Sequence, residues 1–366
     1  MWRHGVPIRD RGPGESYRPE DVAPSLYAVR QPGITTPLLD HISFGALDVV
    51  VEAPAELREL MEVLTTGAEG LMRAEHRHGR GAPAGALTVT IGLGPALFGR
   101  RFGLAARRPV ALSELPGFPG DALDPATSGG DLAVQVCADR PAKAADALTR
   151  LLDVARPAVV LRWSQAGSIH RLPGDPPGQL PRNLLGFKEA IANPRRGKDL
   201  QRHVWVSAGD RSGMIGGTYL VVRRVQVLLD AWNALSLEEQ ERVIGRRRDS
   251  GALLGRTHSF QSPDDEALAP DAHARLASPR ANGGATLLRR GYSYDNGTDA
   301  GGRRDAGLLL LLYGSDPRRQ YVPVQRRLSE GDALSRFTGA VGSAVFAIPP
   351  GARAGGVLGG DLLSEG

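Results

Sequence analysis

Two short stretches hold residue types that can do chemistry. His273 opens the run HARLASPRANGGATLLRRGYSY, which ends at Tyr294 and carries Ser278-Pro279-Arg280 and then Arg289-Arg290. The second, Gly186 to Pro194, reads GFKEAIANP and carries Glu189. Together they offer a metal-ligating imidazole, a guanidinium and a carboxylate. That set suits redox chemistry at an iron-bearing cofactor, with one nitrogen beneath the metal and an acid/base pair above it.

The elements that position these groups follow from spacing. From His273 to Arg289 the chain advances 289 − 273 = 16 residues, a loop plus a returning strand. Successive residues on a strand point to opposite faces, so only one of Arg289 and Arg290 can face the site. Residues 165–200 form a long loop with five prolines, and this loop carries GFKEAIANP. Loops of that length are uncommon unless functional.

GFKEAIANP, HARLASPR (273–280) and LRRGYSY (288–294) resemble the signature segments of the dye-decolourising haem peroxidases. The resemblance is nearest the branch that includes the bacterial deferrochelatase/peroxidases, which typically carries GFKDGTANP. It extends through QPGITTP (31–37), GLGPALF (92–98), FPGDALDPATSGGDLAVQVCAD (118–139), GGTYLVVRR (216–224), DPRRQYVPVQRRL (316–328) and GSAVFAIPPG (342–351), and so covers nearly the whole chain beyond residue 25.

The resemblance implies haem b as cofactor, hydrogen peroxide as oxidant and an aromatic, dye-like small molecule as reductant. It implies that His273 is the proximal ligand to the iron and that Arg289, not Arg290, is the distal arginine. Glu189 stands where the family carries an aspartate that moves the peroxide proton from one oxygen to the other. The backbone of Ala190-Ile191-Ala192 would line one haem edge. Ser278-Pro279-Arg280 would lie near the propionates, with Arg280 pairing a carboxylate. Asp332 is a candidate for the carboxylate that receives the other N–H of His273, with helix capping as its alternative role. Tyr292, Tyr294, Tyr313 and Trp232 could pass electrons to surface-bound substrates, or be ordinary core aromatics.

Two departures fall together. Glu189 adds a methylene, which shifts the carboxylate by roughly 1.5 Å, one C–C bond. Ala190 replaces a glycine, which narrows the backbone if that position needs φ > 0. These changes keep two further readings open: a haem-binding or iron-release protein with weak peroxidase activity, and a repurposed haem enzyme of secondary metabolism.

Bulk properties limit the field. The length of 366 residues and a hydrophobic content of 41% suit two compact lobes or one large domain. No apolar run reaches the length of a membrane span. The formal charge is +5, but the arginine clusters at 246–248 and 303–304 lack neighbouring aromatics. They read as solvated faces, so a nucleic-acid partner is not expected. Cys137 is the single cysteine, which excludes an internal disulfide. The N-terminus shows no signal peptide, so the chain reads as cytoplasmic, or as exported if a twin-arginine leader has been removed. Homo-oligomerisation stays open.

The coarse element order predicts an α+β fold. Strands at 41–52, 86–94, 131–139 and 158–167 alternate with helices at 54–72 and 141–155, a β-α-β-β-α-β pattern. The pattern returns with strands at 203–208, 217–226, 306–314 and 342–351 and helices at 227–245 and 326–339. The expectation is two ferredoxin-like lobes with antiparallel sheets, the cofactor held mainly by the second. Residues 1–24 form a flexible arm, 25–164 the first lobe, 165–200 the cofactor-facing loop and 201–366 the second lobe.

Overall fold

The structure is a computed structural model that describes residues 23–78, 87–171, 179–258, 267–298 and 301–364. The expected arm over 1–24 lies almost wholly outside the described residues.

The first half contains β1 (His41–Val49), α1 (Pro54–His78), β2 (Leu87–Leu93), β3 (Leu132–Ala138), α2 (Pro141–Ala155) and β4 (Val159–Ser168). The loop that follows leads to α3 (Gly197–His203). The second half contains β5 (Thr218–Val227), α4 (Leu229–Asn233), α5 (Leu237–Ile244), α6 (His273–Leu276), β6 (Leu288–Thr298), β7 (Arg304–Gly314), α7 (Pro317–Gly331), β8 (Thr338–Ile348) and α8 (Gly360–Leu363).

All strand pairs are antiparallel, in the order β1-β3-β2-β8-β5-β7-β6-β4. Read by halves this is β4-β1-β3-β2 and β8-β5-β7-β6, the same order twice, as two ferredoxin-like lobes require. The two sheets meet edge to edge at single pairings, Leu93 with Ala347 and Ser168 with Ser293, and so close into a barrel.

Closure explains why β2 and β3 are buried on both faces. One face packs under the helices. Leu57, Leu60, Met61 and Leu64 of α1 lie there with Leu148 and Leu151 of α2, Val89, Ile91, Val134 and Val136. The other face fills the barrel, where Phe44, Ala133, Cys137, Tyr292, Tyr313 and Phe346 interdigitate. Cys137 is thus a small core residue.

Three elements differ from the sequence reading. Residues 203–208 are not a strand: α3 ends at His203, and the backbone after it turns, with Val206 N donating to Gly217 O. Val204 and Trp205 are apolar because they fill the barrel core. The last major helix starts at Pro317, capped by Asp316, and continues through Pro323 to Gly331, whereas the sequence placed it at 326–339. That internal proline hid its first half. The 227–245 helix is two helices, because Ser236 caps α5 afresh with a capping box closed by Glu239.

Candidate active site

Glu189 sits in a loop built by side-chain hydrogen bonds. Asn183 Oδ1 accepts from the backbone N–H groups of Leu185 and Phe187 at 3.1 Å each, an Asx-type turn. Glu189 N donates to Pro181 O at 2.8 Å, which closes the returning arm. Leu185, Phe187 and Trp232 anchor the loop from beneath in one apolar cluster, and Trp232 Nε1 donates to Leu185 O. Trp232 is therefore the floor of this loop.

The Glu189 carboxylate is oriented through one oxygen. Oε1 accepts from Asn183 Nδ2 at 2.6 Å. Oε2 lies over Gly291, 3.5 Å from where a Cβ would stand. Gly291 follows Arg289 by two residues on β6, so both present the same face. Asn193 fixes the join: its amide donates to Arg289 O at 2.8 Å and accepts from Arg289 N at 3.0 Å. The structure thus sets Glu189 against the face of β6 that carries Arg289, with the side chain of one asparagine acting as a strand partner.

Arg290 turns the other way. It is buried and donates to the carbonyls of Ile34, Thr36 and Pro37 at 2.8, 2.9 and 3.3 Å. The tail of the 31–37 motif is therefore its receptor, and this arginine joins the lobes.

Ala190 has φ +60°, the only non-glycine residue with positive φ among the described residues. This left-handed conformation costs an L-residue about 1–2 kcal/mol. The position does need φ > 0, and alanine holds it under strain. Ile191 is buried against Gly251, Ala190 is half-buried and Ala192 exposed.

His273 begins the single turn of α6. Its Nδ1 lies 2.6 Å from Asp332 Oδ2, while Asp332 Oδ1 accepts from Leu334 N at 2.9 Å. The two roles weighed for Asp332 are both filled, one by each oxygen. The carboxylate selects the tautomer in which Nδ1 carries the proton and Nε2 holds the lone pair a metal needs. The imidazole is part-exposed, whereas Asp332 is buried. Ser278 Oγ accepts from Ala281 N at 3.2 Å, which caps the next turn; Pro279 and Arg280 open that turn at the surface.

Arg246 completes the surroundings and was missed in the sequence, where residues 246–248 read as a solvated face. Arg246 is half-buried and donates to Gly251 O at 2.8 Å. Burial, and then the positive charge of Arg289, push its pKa down to about 10. It is still a cation at neutral pH, so two guanidiniums share this region. Gly245, just before it, packs on Ala272 and Ala274, which flank His273. Arg247 pairs with Glu241, and Arg248 donates to Gln240. The available signal was Gly245, a helix-ending glycine at φ +83°, which turns Arg246 inward from the end of α5.

The aromatic candidates are buried. Tyr292 donates to Cys137 Sγ, Tyr294 to Val225 O and Tyr313 to Gln135 Oε1.

Comparison with known proteins finds matches over both lobes. Residues 31–169 match the family model described as Dyp-type peroxidase, N-terminal, and residues 180–353 the one described as Dyp-type peroxidase, C-terminal. The chain is 39% identical over 363 residues to the dye-decolorizing peroxidase of Thermobifida fusca, covering 92% of this chain and 84% of the relative. It is 34% identical to a deferrochelatase of Escherichia coli, covering 92% and 86%. Among solved structures, the oxyferrous complex of DtpA from Streptomyces lividans superposes with a TM-score of 0.87 at 39% identity, over 94% of this chain and 98% of that one. A DyP-type peroxidase from Cellulomonas bogoriensis gives 0.85 at 38%, over 95% and 100%. A duplicated ferredoxin-like barrel, a carboxylate beside an arginine on one strand and a carboxylate-backed histidine thus coincide with matches across both lobes: the chain belongs to the Dyp-type peroxidase family.

Proposed function

We propose that this chain is a haem b peroxidase in which His273 holds the iron, while Glu189 and Arg289 act on peroxide. The 2.6 Å contact between His273 Nδ1 and Asp332 carries the reading, because it leaves Nε2 as the ligating nitrogen and makes it more basic. The donor set fits haem: one imidazole backed by a carboxylate, and a second carboxylate held against the strand that carries a guanidinium.

Bound haem supplies the iron at which the peroxide O–O bond breaks and the store for the oxidising equivalents. The protein supplies position and protons. Glu189, held by Asn183, takes the proton from one peroxide oxygen and returns it to the other. Arg289 stabilises the negative charge growing on the departing oxygen, and its backbone, gripped by Asn193, keeps that guanidinium preorganised. Arg246 adds positive potential. The 190–192 backbone would line one haem edge, and the 278–280 turn, with Arg280 as the cation, would serve the propionates. The reductant is an aromatic, dye-like molecule.

Purified protein should carry one haem b per chain and bleach an anthraquinone dye with hydrogen peroxide. His273→Ala should abolish the Soret band or move it to that of loosely held haem, and an unchanged spectrum and stoichiometry would sink the ligand assignment. Tight haem binding with negligible peroxide turnover would favour the iron-release reading, as the strained Glu189-Ala190 pair allows.

A further inference from the structure

We propose that Arg182 is a positioning residue that locks the loop carrying Glu189 to the turn carrying Arg246, so that the two move as one body. The inference rests on the peroxidase reading, which gives Glu189 its task.

Arg182 lies at the foot of the Glu189 loop. Its backbone bridges Lys188 within the loop and His170 just beyond β4. Its side chain is buried, and the guanidinium grips two segments at once. Nη1 donates to Gly186 O, in the loop, at 3.0 Å, and to Arg248 O, in the turn. Nη2 donates to Asp249 O, also in the turn, at 3.0 Å.

No carboxylate of the described residues pairs with this guanidinium, and its Nε is buried without an acceptor. Burying a cation without an anion is costly, and hydrogen bonds to carbonyls offset only part of that. Packing alone would be served better by an apolar side chain of similar volume. The planar fork does what no apolar side chain can: it holds the carbonyls of two backbone segments at a set spacing.

The turn meets the loop at a second point. A Cβ on Gly251 would stand 2.6 Å from Ile191 Cδ1 and 3.5 Å from Lys188 Cβ, so the loop fills the space that a side chain would need. Gly251 is itself tied to the turn: its N–H donates to Arg247 O at 2.9 Å, and its carbonyl accepts from Arg246 Nη1 at 2.8 Å. The two contacts, at Gly186 and at Ile191, flank Glu189 and hold the loop against rotation as well as lifting. Asn183 and Trp232 tie the loop to its own floor, and Asn193 ties it to the strand of Arg289. Arg182 adds the link to the turn, which sets Glu189 and Arg246 on one scaffold.

Proton transfer needs its groups within hydrogen-bond reach, and a misplacement of about 1 Å costs on the order of 10²-fold. Arg182 never touches peroxide in this scheme. It acts through Glu189.

The test compares wild type, Arg182→Met and Arg182→Lys as holoproteins of matched haem content. Hydrogen–deuterium exchange in Arg182→Met should rise several-fold over both 181–193 and 245–253, and stay unchanged over β2 and β3. The ferric protein should react with peroxide about tenfold or more slowly. Cyanide, which binds ferric haem as the anion after giving up its proton in the pocket, should associate more slowly as well. Arg182→Met combined with Glu189→Gln should react with peroxide no more slowly than the slower single variant, because both changes disable one proton transfer. Arg182→Lys keeps the charge but not the fork, so it should stay well below the wild-type rate; it carries the exchange and double-variant measurements if Arg182→Met does not fold. Exchange that rises in the loop alone, or equally throughout the chain, overturns the lock. An unchanged peroxide rate in Arg182→Met, multiplied losses in the double variant, or full recovery in Arg182→Lys overturns the positioning role. A wild type that does not react with peroxide would instead overturn the peroxidase reading, and the exchange result would still decide the lock.

Discussion

Asp332 divides its carboxylate between two tasks: Oδ2 meets His273 Nδ1 at 2.6 Å, and Oδ1 caps the turn at Leu334 N at 2.9 Å. The tasks can be separated. Asparagine remains a good cap but carries no charge. Asp332→Asn should therefore keep haem and fold while raising the iron reduction potential, because a less basic imidazole stabilises ferric iron less. Asp332→Ala should also lose about 1 kcal/mol of stability with the cap. A redox titration with a denaturant melt checks both, and an unmoved potential in Asp332→Asn would show that the contact does not tune the iron.

Arg289→Leu should slow the reaction with peroxide by about 10²-fold or more, the scale of losing one preorganised charge stabiliser. Glu189→Gln should cost less, because the glutamate already departs from the family's aspartate. Stopped-flow rates decide the ranking, and a larger effect of Glu189→Gln reverses it.

Ala190 offers a stability test at the same loop. Glycine removes the strain of φ +60°, worth about 1–2 kcal/mol, and returns about 0.5–1 kcal/mol in chain entropy. Ala190→Gly should gain up to about 1.5 kcal/mol in equilibrium unfolding. Combined with Glu189→Asp it should speed the peroxide reaction. A double variant that is slower throughout pH 4 to 8 would show Glu189 and Ala190 tuned to each other.

Arg223 on β5 pairs with Asp121 from the first lobe, and both side chains are largely buried. Removing the carboxylate strands a buried guanidinium. Asp121→Ala should destabilise the protein by about 3–5 kcal/mol, with the denaturation midpoint as the readout. A change under 1 kcal/mol would mean that water reaches Arg223.

Much of this was legible in the sequence because alternation and motif spacing are local. Strands β1 to β4 follow from alternation, α1 and α2 from helical spacing, and the opposition of Arg289 and Arg290 from the period of two along a strand, whereas the second repeat was opened too early, at 203–208. What stayed hidden depends on contacts distant in the chain. Val204 and Trp205 read as a strand because apolar residues fill a barrel core as readily as they line a sheet. Arg246 read as solvated because only the turn at Gly245 brings it towards Arg289. Arg182 carried no motif, and gains meaning only when Gly186, Arg248 and Asp249 turn their carbonyls towards it.

Closure of the barrel at Leu93–Ala347 and Ser168–Ser293 bears on how the molecule can be divided. Each lobe hides its inner sheet face only behind the other, and Arg290, one residue from Arg289, finds its three carbonyl acceptors in the opposite lobe. A lobe cut free would expose an apolar sheet and leave that cation without its cage. The duplication visible in the strand order is therefore one-way: two copies of a half-fold have become a single obligate unit, in which the strand carrying Arg289 depends on both.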